Sequence, residues 1–287
     1  PVENLPRPED MAGDLLVGTS PAMLALKQQI KTIANVQGDV LVIGETGTGK
    51  ELVSQAIHSA SERSDKPFIS INCGALDESL LMDTLFGHVK GAFTEAKQNR
   101  KGAFIAAEGG TLLLDEIGNA TPKVQQALLR ALSIRKIRPL GSDQDIEFSA
   151  RIIAATNADL RNDGKAGGFR NDLYFRLSVF SIQTPPLRDR KKDIPALIIH
   201  FMATLVDGKE KGMPDTIPRV SRGALDKLLQ YDWPGNVREL KNVITRALAF
   251  CKKDILQASD IIIDDSDENI NTQKESKISL IKTPSNS

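Results

Sequence analysis

The chain has 287 residues, of which 40% are hydrophobic and 26% are charged, which are ordinary values for a globular protein. Its 37 Lys and Arg residues balance 37 Asp and Glu residues, so the total charge gives no reason to expect these residues to bind DNA by themselves. The longest apolar runs fall short of the roughly 18 residues that cross a bilayer, and the first residues lack a secretion signal. We therefore expect a cytoplasmic chain without a membrane partner.

The order of elements predicts an arm followed by an α/β domain. Residues 1–14 are rich in proline and acidic residues and have no apolar period, which is typical of a linker or an N-terminal arm. From 15 to 186, short β-rich runs alternate with helical patterns, which predicts a parallel sheet covered by helices. The predicted strands are Asp39 to Ile43, Pro67 to Ile71, Thr111 to Asp115, Ala150 to Thr156 and Val179 to Thr184.

A hairpin and a helical domain are predicted next. Ile137 to Leu140 and Ile146 to Phe148 flank a turn-forming Gly-Ser-Asp sequence, which indicates a hairpin that projects from the sheet. From 187 to 263 apolar residues recur at helical spacing, which predicts a small all-α domain. Residues 264–287 are rich in Asp, Asn, Ser and Lys, with too few apolar residues to stabilise a fold, so we expect a disordered tail or linker.

The two cysteines, Cys73 and Cys251, lie far apart without a CxxC spacing or a neighbouring histidine. The sequence therefore contains neither a zinc pattern nor a disulfide framework. Because an unpaired cysteine is usually a small core residue, we expect both to be buried thiols.

A phosphate-binding loop is predicted at 44–50, where the sequence GETGTGK follows an apolar strand and precedes a helical pattern. Glycines at these positions let backbone N–H groups surround a β-phosphate, the helix N-terminus adds positive potential, and Lys50 can reach the β and γ oxygens. The motif alone is also compatible with a glycine turn. Its position between a strand and a helix favours a nucleotide site.

The acids that would complete this site follow a buried strand. Glu51 stands where most phosphate loops carry a Ser or Thr that contacts Mg²⁺, so the metal must be held in another way. Asp115 and Glu116 follow three leucines, at a strand end where open α/β sheets bind ligands. Asp115 suits Mg²⁺, directly or through water, and Glu116 suits polarisation of the attacking water. The competing interpretation is a strand that ends in two solvated acids.

A family resemblance enters at residues 85–96, whose sequence LFGHVKGAFTEA is similar to the LFGH and GAFTGA motifs of bacterial sigma-54-dependent transcriptional activators. Glutamate at position 51 is normal for that family. The resemblance implies a P-loop AAA+ three-layer sandwich with a five-stranded parallel sheet, followed by a small all-α lid domain. The other similar segments are GETGTGKE at 44–51, GGTLLLDEIG at 109–118, RIIAATNADL at 151–160, FRNDLYFRL at 169–177 and WPGNVREL at 233–240.

The resemblance also implies ATP and Mg²⁺ as cofactors and assigns roles at the nucleotide. Asn157 resembles the first sensor of the γ-phosphate, and Asn72 the switch residue that holds Glu116 away from water. Arg238 resembles the second sensor, placed by the lid over the same subunit's nucleotide. The implied nucleotide-binding set is Val17, Gly18, Gly44, Glu45, Thr46, Gly47, Thr48, Gly49, Lys50, Glu51, Asp115, Glu116 and Arg238.

Arg170 and Arg176 resemble arginine fingers, which in this family reach the nucleotide of the adjacent subunit. A guanidinium supplied in this way stabilises charge on the γ-phosphoryl oxygens and can raise turnover by roughly 10³ to 10⁵. The resemblance therefore implies a homo-oligomeric ring, a hexamer or a heptamer. Without the motif, a surface salt bridge would be the favoured interpretation of each arginine.

The partner of the implied ring is the sigma-54 RNA polymerase holoenzyme, contacted by the GAFTGA loop. In this chain the loop consists of Gly91, Ala92, Phe93, Thr94, Glu95 and Ala96. We expect Phe93 to be an exposed apolar side chain at the tip of the loop. The ordinary alternative is a phenyl side chain that folds back into the core. Glu95 replaces the family's glycine, and a left-handed glutamate would cost about 1–2 kcal/mol. We therefore expect intact hydrolysis with weakened or altered open-complex formation.

Three functions remain open at this point. The first is a ring ATPase that remodels the sigma-54 holoenzyme. The second is an ATP-dependent regulatory module that has lost sigma-54 contact because of Glu95, and the third is an AAA+ motor with another substrate. The usual family layout places a sensory domain before the ATPase and a helix-turn-helix after it. Neither is expected in these residues, so DNA contact would require a helix-turn-helix outside this chain.

Overall fold

The computed structural model describes residues 15–161, 168–207, 214, 216–251 and 254–263. The linker expected over 1–14 and the tail expected over 264–287 lie outside the described residues. Two compact units are present. The larger comprises the described residues up to His200 together with Tyr231–Leu240, and the smaller comprises the described residues of Phe201–Gln230 and those from Lys241 onward.

Helices and strands alternate through most of the described residues, and the bounds that follow cover both units. The helices are α1 (Pro21–Ala34), α2 (Lys50–Ser59), α3 (Glu78–Phe86), α4 (Ala103–Ala106), α5 (Pro122–Ile134), α6 (Asn171–Leu177), α7 (Ile194–Asp207), α8 (Arg222–Gln230) and α9 (Asn236–Phe250). The strands are β1 (Val40–Ile43), β2 (Phe68–Asn72), β3 (Gly87–His88), β4 (Arg100–Lys101), β5 (Thr111–Asp115), β6 (Lys136–Ile137), β7 (Ile146–Glu147), β8 (Arg151–Thr156), β9 (Phe180–Gln183), β10 (Arg219–Val220) and β11 (Ile255–Leu256). Short 3-10 segments cover Ile117–Asn119 and Leu187–Asp193.

The predicted five-stranded parallel sheet is confirmed, in the order β2-β5-β8-β1-β9. The three central strands, β5, β8 and β1, are largely buried because both faces of the sheet are covered by helices. The edge strands β2 and β9 expose Ser70, Ser181 and Gln183. Leu112 and Leu114 pack with residues of α3, α5 and α6, whereas Leu113, between them, packs with residues of α1 and α2. Side chains alternate across a strand, so the two leucine sets serve two separate cores. The structure is therefore a three-layer sandwich, as expected.

The parallel pairing places the carboxyl ends of all five strands at one edge. Asn72 pairs with Asp115 at the ends of β2 and β5. Ile43, the last residue of β1, pairs with Thr156 on one side and with Gln183 on the other. Residues that follow these positions are consequently close together although they are far apart in sequence.

The predicted hairpin forms but is shorter than expected. Lys136–Ile137 pairs with Ile146–Glu147 in an antiparallel ladder. Leu140, expected in the first hairpin strand, instead donates its N–H to the Gly87 carbonyl and accepts from the Val89 N–H. Pro139 has no backbone N–H to donate to a ladder, which accounts for the early end of β6.

The smaller unit is mainly helical, as predicted, and adds one feature that the apolar spacing did not indicate. A two-residue parallel ladder joins β10 to β11. In the larger unit, Cys73 is buried, as expected. In the smaller unit, Cys251 is partly exposed, and its expected burial is wrong because it follows the last residue of α9, where the helix ends. In the part of the chain that the structure describes, no helix is long and apolar enough to span a membrane.

Two glycines with the same backbone φ provide a stability test. Gly87 and Gly109 both have φ of +72°, but a Cβ at Gly87 would lie 2.2 Å from the Arg100 carbonyl oxygen, whereas a Cβ at Gly109 would meet nothing within 4 Å. Gly109→Ala should therefore lower the free energy of unfolding by about 1–2 kcal/mol, the cost of the left-handed backbone alone. Gly87→Ala should lower it by about 3 kcal/mol or more, because steric overlap is added. Urea denaturation of both variants checks this, and equal losses would contradict it.

Candidate nucleotide-binding site

The phosphate loop connects β1 to α2 at the carboxyl edge of the sheet. Gly49, with φ of 98°, immediately precedes α2, and Lys50 is the first residue of that helix. Nζ of Lys50 donates to the carbonyl oxygens of Gly44 at 2.9 Å and of Glu45 at 3.0 Å. Burial lowers the pKa of Lys50, while the negative charges of nearby Asp115 and Glu116 raise it. The ammonium group therefore lies at the mouth of the loop, where two acids favour its charge.

The turn at Gly47 is covered by the segment that leads into α9. Gly47 has φ of 78°, and a Cβ on it would lie 2.3 Å from the Gly235 carbonyl oxygen. Its own carbonyl accepts from the backbone N–H groups of Val237 at 3.0 Å and Arg238 at 3.3 Å. Only glycine combines this backbone conformation with so close a neighbour. The contact fixes Arg238 beside the loop, where its charge acts on the pKa of Lys50 and of Asp115.

The two acids at the end of β5 have different environments. Burial raises the pKa of Asp115, and a hydrogen bond of 3.0 Å from the backbone N–H of Glu116 opposes this shift. Glu116 has φ of 52° and ψ of 41°, a left-handed conformation that is rare for a residue with a long side chain. Such backbone strain costs about 1–3 kcal/mol and is concentrated at functional sites. Because of this backbone conformation, the side chain of Glu116 points in a different direction from that of a residue in a continuing strand.

An asparagine that was not predicted from the sequence contacts Glu116. Nδ2 of Asn119 donates to Oε2 of Glu116 at 3.3 Å. Asn72, the expected switch residue, accepts from the backbone N–H of Gly74 at 2.8 Å. A Cβ built on Gly74 would lie 2.7 Å from Glu116 Oε2 and 3.4 Å from Asn72 Oδ1, so the absence of a side chain at Gly74 leaves space that both residues border. Asn119 lies in the turn directly after Glu116, and this position in the sequence could have indicated that it contacts the acid.

Asn157 follows β8 and faces the phosphate loop, because β8 lies between β1 and β5 in the sheet. Its Nδ2 donates to the Thr46 hydroxyl at 2.9 Å. The side chain of Thr48 also joins the loop to the residue that follows β9, since the hydroxyls of Thr48 and Thr184 are 2.7 Å apart. The predicted sensor residue therefore lies beside the loop.

A second unpredicted group surrounds Glu45. Arg188 donates to both carboxylate oxygens of Glu45 at 2.6 and 2.8 Å, and Nδ2 of Asn236 donates to Oε2 at 3.1 Å. These bonds, led by that from Arg188, lower the pKa of Glu45 to about 2. Asn236 is fully buried and also accepts from the backbone N–H of Leu187 at 2.8 Å. WPGNVREL contains Asn236, but its partners cannot be read from that motif.

The Leu187–Asp193 segment also holds the start of α1. Asp193 is 1% exposed and accepts from the backbone N–H groups of Thr19 and Ser20, each at 2.8 Å, and from the Ser20 hydroxyl at 2.6 Å. Arg190 donates to the Thr48 carbonyl at 3.2 Å. The predicted residues Val17 and Gly18 directly precede this anchored turn, so the segment connects them to the phosphate loop.

The two predicted arginine fingers are not part of this cluster. Arg170 forms an ion pair with Asp172, with donor to acceptor distances of 3.0 and 2.8 Å. Arg176 donates to the Leu132 carbonyl at 3.2 and 2.8 Å. Arg170 immediately precedes α6 and Arg176 lies within it. This helix packs on α5.

The β3–β4 loop, residues 89–99, contains the predicted partner-contact residues. Phe93 is 45% exposed, and its ring centroid lies 4.8 Å from that of His88 in an edge-to-face contact. The left-handed position is Gly91, with φ of 84°. Glu95 is not among the non-glycine residues with positive φ in the described part of the chain, so the expected backbone strain at Glu95 is wrong. Backbone hydrogen bonds form one turn from Val89 to Ala92, which contains Gly91, and a second turn from Phe93 to Ala96, which contains Glu95.

The donor set suits a magnesium ion that arrives with phosphate oxygens. Within the described ranges, no group of three or more His, Cys, Asp and Glu residues could hold a metal ion. Mg²⁺ is commonly bound by one or two carboxylates together with substrate phosphates. Asp115, beside Lys50 at the edge of the sheet, fits that arrangement.

These features define the class of protein. A phosphate loop follows β1, paired acids follow β5, and a polar residue follows β8, which lies between them in the parallel sheet. This is the arrangement of a P-loop domain of the AAA+ class. Residues 16–183 match the family described as "Sigma-54 interaction domain", and residues 188–278 match "AAA+ ATPase lid domain". The chain therefore belongs to the sigma-54 interaction domain family.

Relatives with the same architecture are bacterial regulators. The chain is 49% identical over 233 residues to "Transcriptional regulatory protein ZraR" of Escherichia coli K12, covering 81% of this chain and 52% of that protein. It is 46% identical over 234 residues to "Nif-specific regulatory protein" of Azotobacter vinelandii, covering 82% and 44%. The structure of NtrX from Brucella abortus in complex with ADP superposes with a TM-score of 0.78 at 30% identity, covering 94% of this chain and 63% of NtrX. The chain thus spans about half the length of the regulators that it resembles in sequence.

The Glu45 contacts predict a measurable titration. Arg188→Gln should move the pKa of Glu45 from about 2 towards its ordinary value of 4.5, because the guanidinium hydrogen bonds, the main cause of the lowered pKa, are removed. Since the pKa is lowered in the folded chain, the contact contributes its full stability above pH 4.5 and loses it as the pH falls through about 2. Carbon-13 NMR of labelled glutamate carboxyls measures this shift. Arg170→Gln, which removes the ion pair with Asp172, is the control, and an unchanged Glu45 pKa in Arg188→Gln would refute the assignment.

Proposed function

We propose that this chain hydrolyses ATP in a homo-oligomeric ring and that hydrolysis drives remodelling of the sigma-54 RNA polymerase holoenzyme. The observation that carries the proposal is the meeting of Lys50, the Asp115–Glu116 pair and Asn157 at one edge of the sheet. Membership of the sigma-54 interaction domain family supports it. NtrX of Brucella abortus, with a similar fold, has been crystallised with ADP and with ATP, which supports an adenine nucleotide as the ligand.

Each residue of the site has a proposed task. Lys50 binds the β and γ phosphate oxygens, and Glu116 accepts a proton from the attacking water. Asp115 would hold a magnesium ion, which neutralises charge on the phosphate oxygens. Asn157, which bonds to the Thr46 hydroxyl, would contact the γ-phosphate and so respond to its presence. We propose that Asn72, which bonds to the backbone of Gly74, and Asn119, which bonds to Glu116, restrain Glu116 in alternative orientations.

Arg238 and the two α6 arginines have complementary tasks. The backbone of Arg238 is bonded to Gly47, so its guanidinium is suited to the same subunit's nucleotide. Arg170 and Arg176 form their present bonds with Asp172 and the Leu132 carbonyl. We propose that they act on the nucleotide of a neighbouring subunit, which makes assembly of a ring necessary for rapid hydrolysis.

Sigma-54 contact through the β3–β4 loop is the proposed use of the half-exposed Phe93. The alternative, a regulatory module without sigma-54 contact, depends on Glu95. Because the backbone at Glu95 is not left-handed, the remaining support for that alternative is charge: a ring would bring several Glu95 carboxylates together. We favour a contact that Glu95 weakens rather than abolishes.

The wider setting follows from the same proposal. We place the chain in the cytoplasm and propose that DNA is contacted through a helix-turn-helix domain that is not part of these residues. We further propose that residues 15–186 act as the nucleotide-binding subdomain and 187–263 as the lid.

A subunit-mixing assay tests the trans arginine. Glu116→Gln and Arg170→Ala should each hydrolyse ATP at under about 1% of the parent rate. A 1:1 mixture should recover about a quarter of it, because random pairing gives one interface in four with both groups intact. A mixture in which the first chain also carries Arg170→Ala is the control and should remain inactive. Absence of recovery in the first mixture, with rings confirmed by light scattering, would show that Arg170 does not act in trans.

Loop variants separate hydrolysis from partner contact. Phe93→Ala should leave ATP turnover within about twofold of the parent and reduce open-complex formation by at least about tenfold, since an apolar contact at an interface centre is lost. Glu95→Gly should increase open-complex formation. Lys97→Ala, in the same loop but outside 91–96, is the control. Vigorous activation at sigma-54 promoters that Glu95→Gly does not change would refute the role given to Glu95.

A further inference from the structure

One buried carboxylate holds both strands at the base of the β3–β4 loop. Asp83 lies in the last turns of α3 and is 7% exposed. Its Oδ1 is 2.6 Å from Nδ1 of His88, and its Oδ2 accepts from Nη1 of Arg100 at 2.7 Å. An ionised carboxylate can only accept, so the imidazole donates as well. His88 and Arg100 are paired residues of β3 and β4, so Asp83 binds one donor on each strand.

The ladder that Asp83 supports is very short. Gly87 and His88 pair with Lys101 and Arg100, and each strand has two residues. Two residues a strand provide few ladder hydrogen bonds, and an isolated two-stranded hairpin is at best marginally stable in water. Leu140 supports β3 through backbone hydrogen bonds with Gly87 and Val89. The Asp83 contacts add charge-assisted hydrogen bonds, which are roughly twice as strong as neutral ones, and they join both strands of the stem to α3.

The clamped residue also positions the tip of the loop. The ring of Phe93 packs edge-to-face on the ring of His88, and Nδ1 of His88 bonds to Asp83. Burial of His88 between these groups restricts its rotamer. The direction in which Phe93 projects therefore depends on an imidazole that is fixed to α3.

The opposite end of α3 reaches the nucleotide edge. α3 begins at Glu78, six residues after Asn72, the last residue of β2. Oε2 of Glu78 accepts from the hydroxyl of Thr121 at 2.7 Å, and Thr121 lies five residues after Glu116. One helix therefore contacts the segment that follows the catalytic acids at its start and the stem of the β3–β4 loop near its end.

We propose that Asp83 is a positioning residue, which couples α3 to the β3–β4 loop so that a displacement of α3 at the nucleotide edge moves Phe93. The inference rests on the proposed function and goes beyond it by assigning this coupling to one side chain. Without the carboxylate, the short stem would absorb the movement by changing its own conformation. A carboxylate that only stabilised the fold would alter the free energy of unfolding without altering the response of the loop to the nucleotide.

Hydrogen–deuterium exchange of residues 87–101 tests the coupling in the full chain, with ADP and with ADP plus aluminium fluoride. Exchange of this segment should differ between the two states in the parent. In Asp83→Asn and in Arg100→Gln, exchange should rise about fivefold or more and the difference between the states should fall by more than half. ATP turnover should stay within about twofold, since Asp83 is remote from the phosphate loop, and holoenzyme binding should weaken by about tenfold. Thr84→Ala, on the same helix, is the control and should behave as the parent.

Each outcome decides the proposal. Equal exchange of residues 87–101 in the two states of the parent, or an undiminished difference in both variants, overturns it. Arg100 is half exposed, so Arg100→Gln remains informative if Asp83→Asn does not fold. Failure of the parent to bind the sigma-54 holoenzyme would refute the proposed function. The coupling would still be supported if the variants lost the exchange difference that the parent has.

Discussion

The site depends on the parallel arrangement of the five strands, which brings all their carboxyl ends to one edge of the sheet. The residues after β1, β5 and β8 come from three widely separated stretches of sequence. Pairing of Ile43 with Thr156 and of Asn72 with Asp115 sets their relative positions to within one residue. A one-residue slip would turn each leucine of β5 to the opposite core and would shift Asp115 along the edge, so core packing and site geometry are determined together.

Charged side chains at this edge of the sheet lie near side chains of opposite charge. Lys50 lies near Asp115 and Glu116, and burial works against the charged forms of Lys50 and Asp115. Glu45, nearer the solvent, is held ionised by Arg188 and Asn236. The site therefore has one carboxylate, Glu45, that stabilises the phosphate loop, and two at the end of β5 that are proposed to face the terminal phosphate. Their different environments explain how neighbouring acids can have separate tasks.

The Leu187–Asp193 segment gives the phosphate loop a rigid support. Arg188 binds Glu45, Arg190 binds Thr48, and Asp193 binds the turn before α1. A loop rich in glycine has high conformational freedom, so its binding shape must be imposed by neighbours. These long-range contacts do so from the side opposite to Asn157. Preorganisation of this kind lowers the entropy lost when a nucleotide binds.

Local patterns of residues were sufficient to predict the phosphate loop, the acids at the end of β5, the five strands and the helical character of the residues after 187. These features depend on neighbouring residues, whose spacing indicates burial and backbone shape directly. The meeting of distant polar groups depends instead on the folded chain. Arg188 and Glu45 are 143 positions apart, and Asn236 and Glu45 are 191 apart. The tertiary structure also placed the left-handed residue of the β3–β4 loop at Gly91 and brought Asp83 to both strands of the stem. Such partners are brought together by packing in three dimensions, so the local spacing of residues cannot predict them.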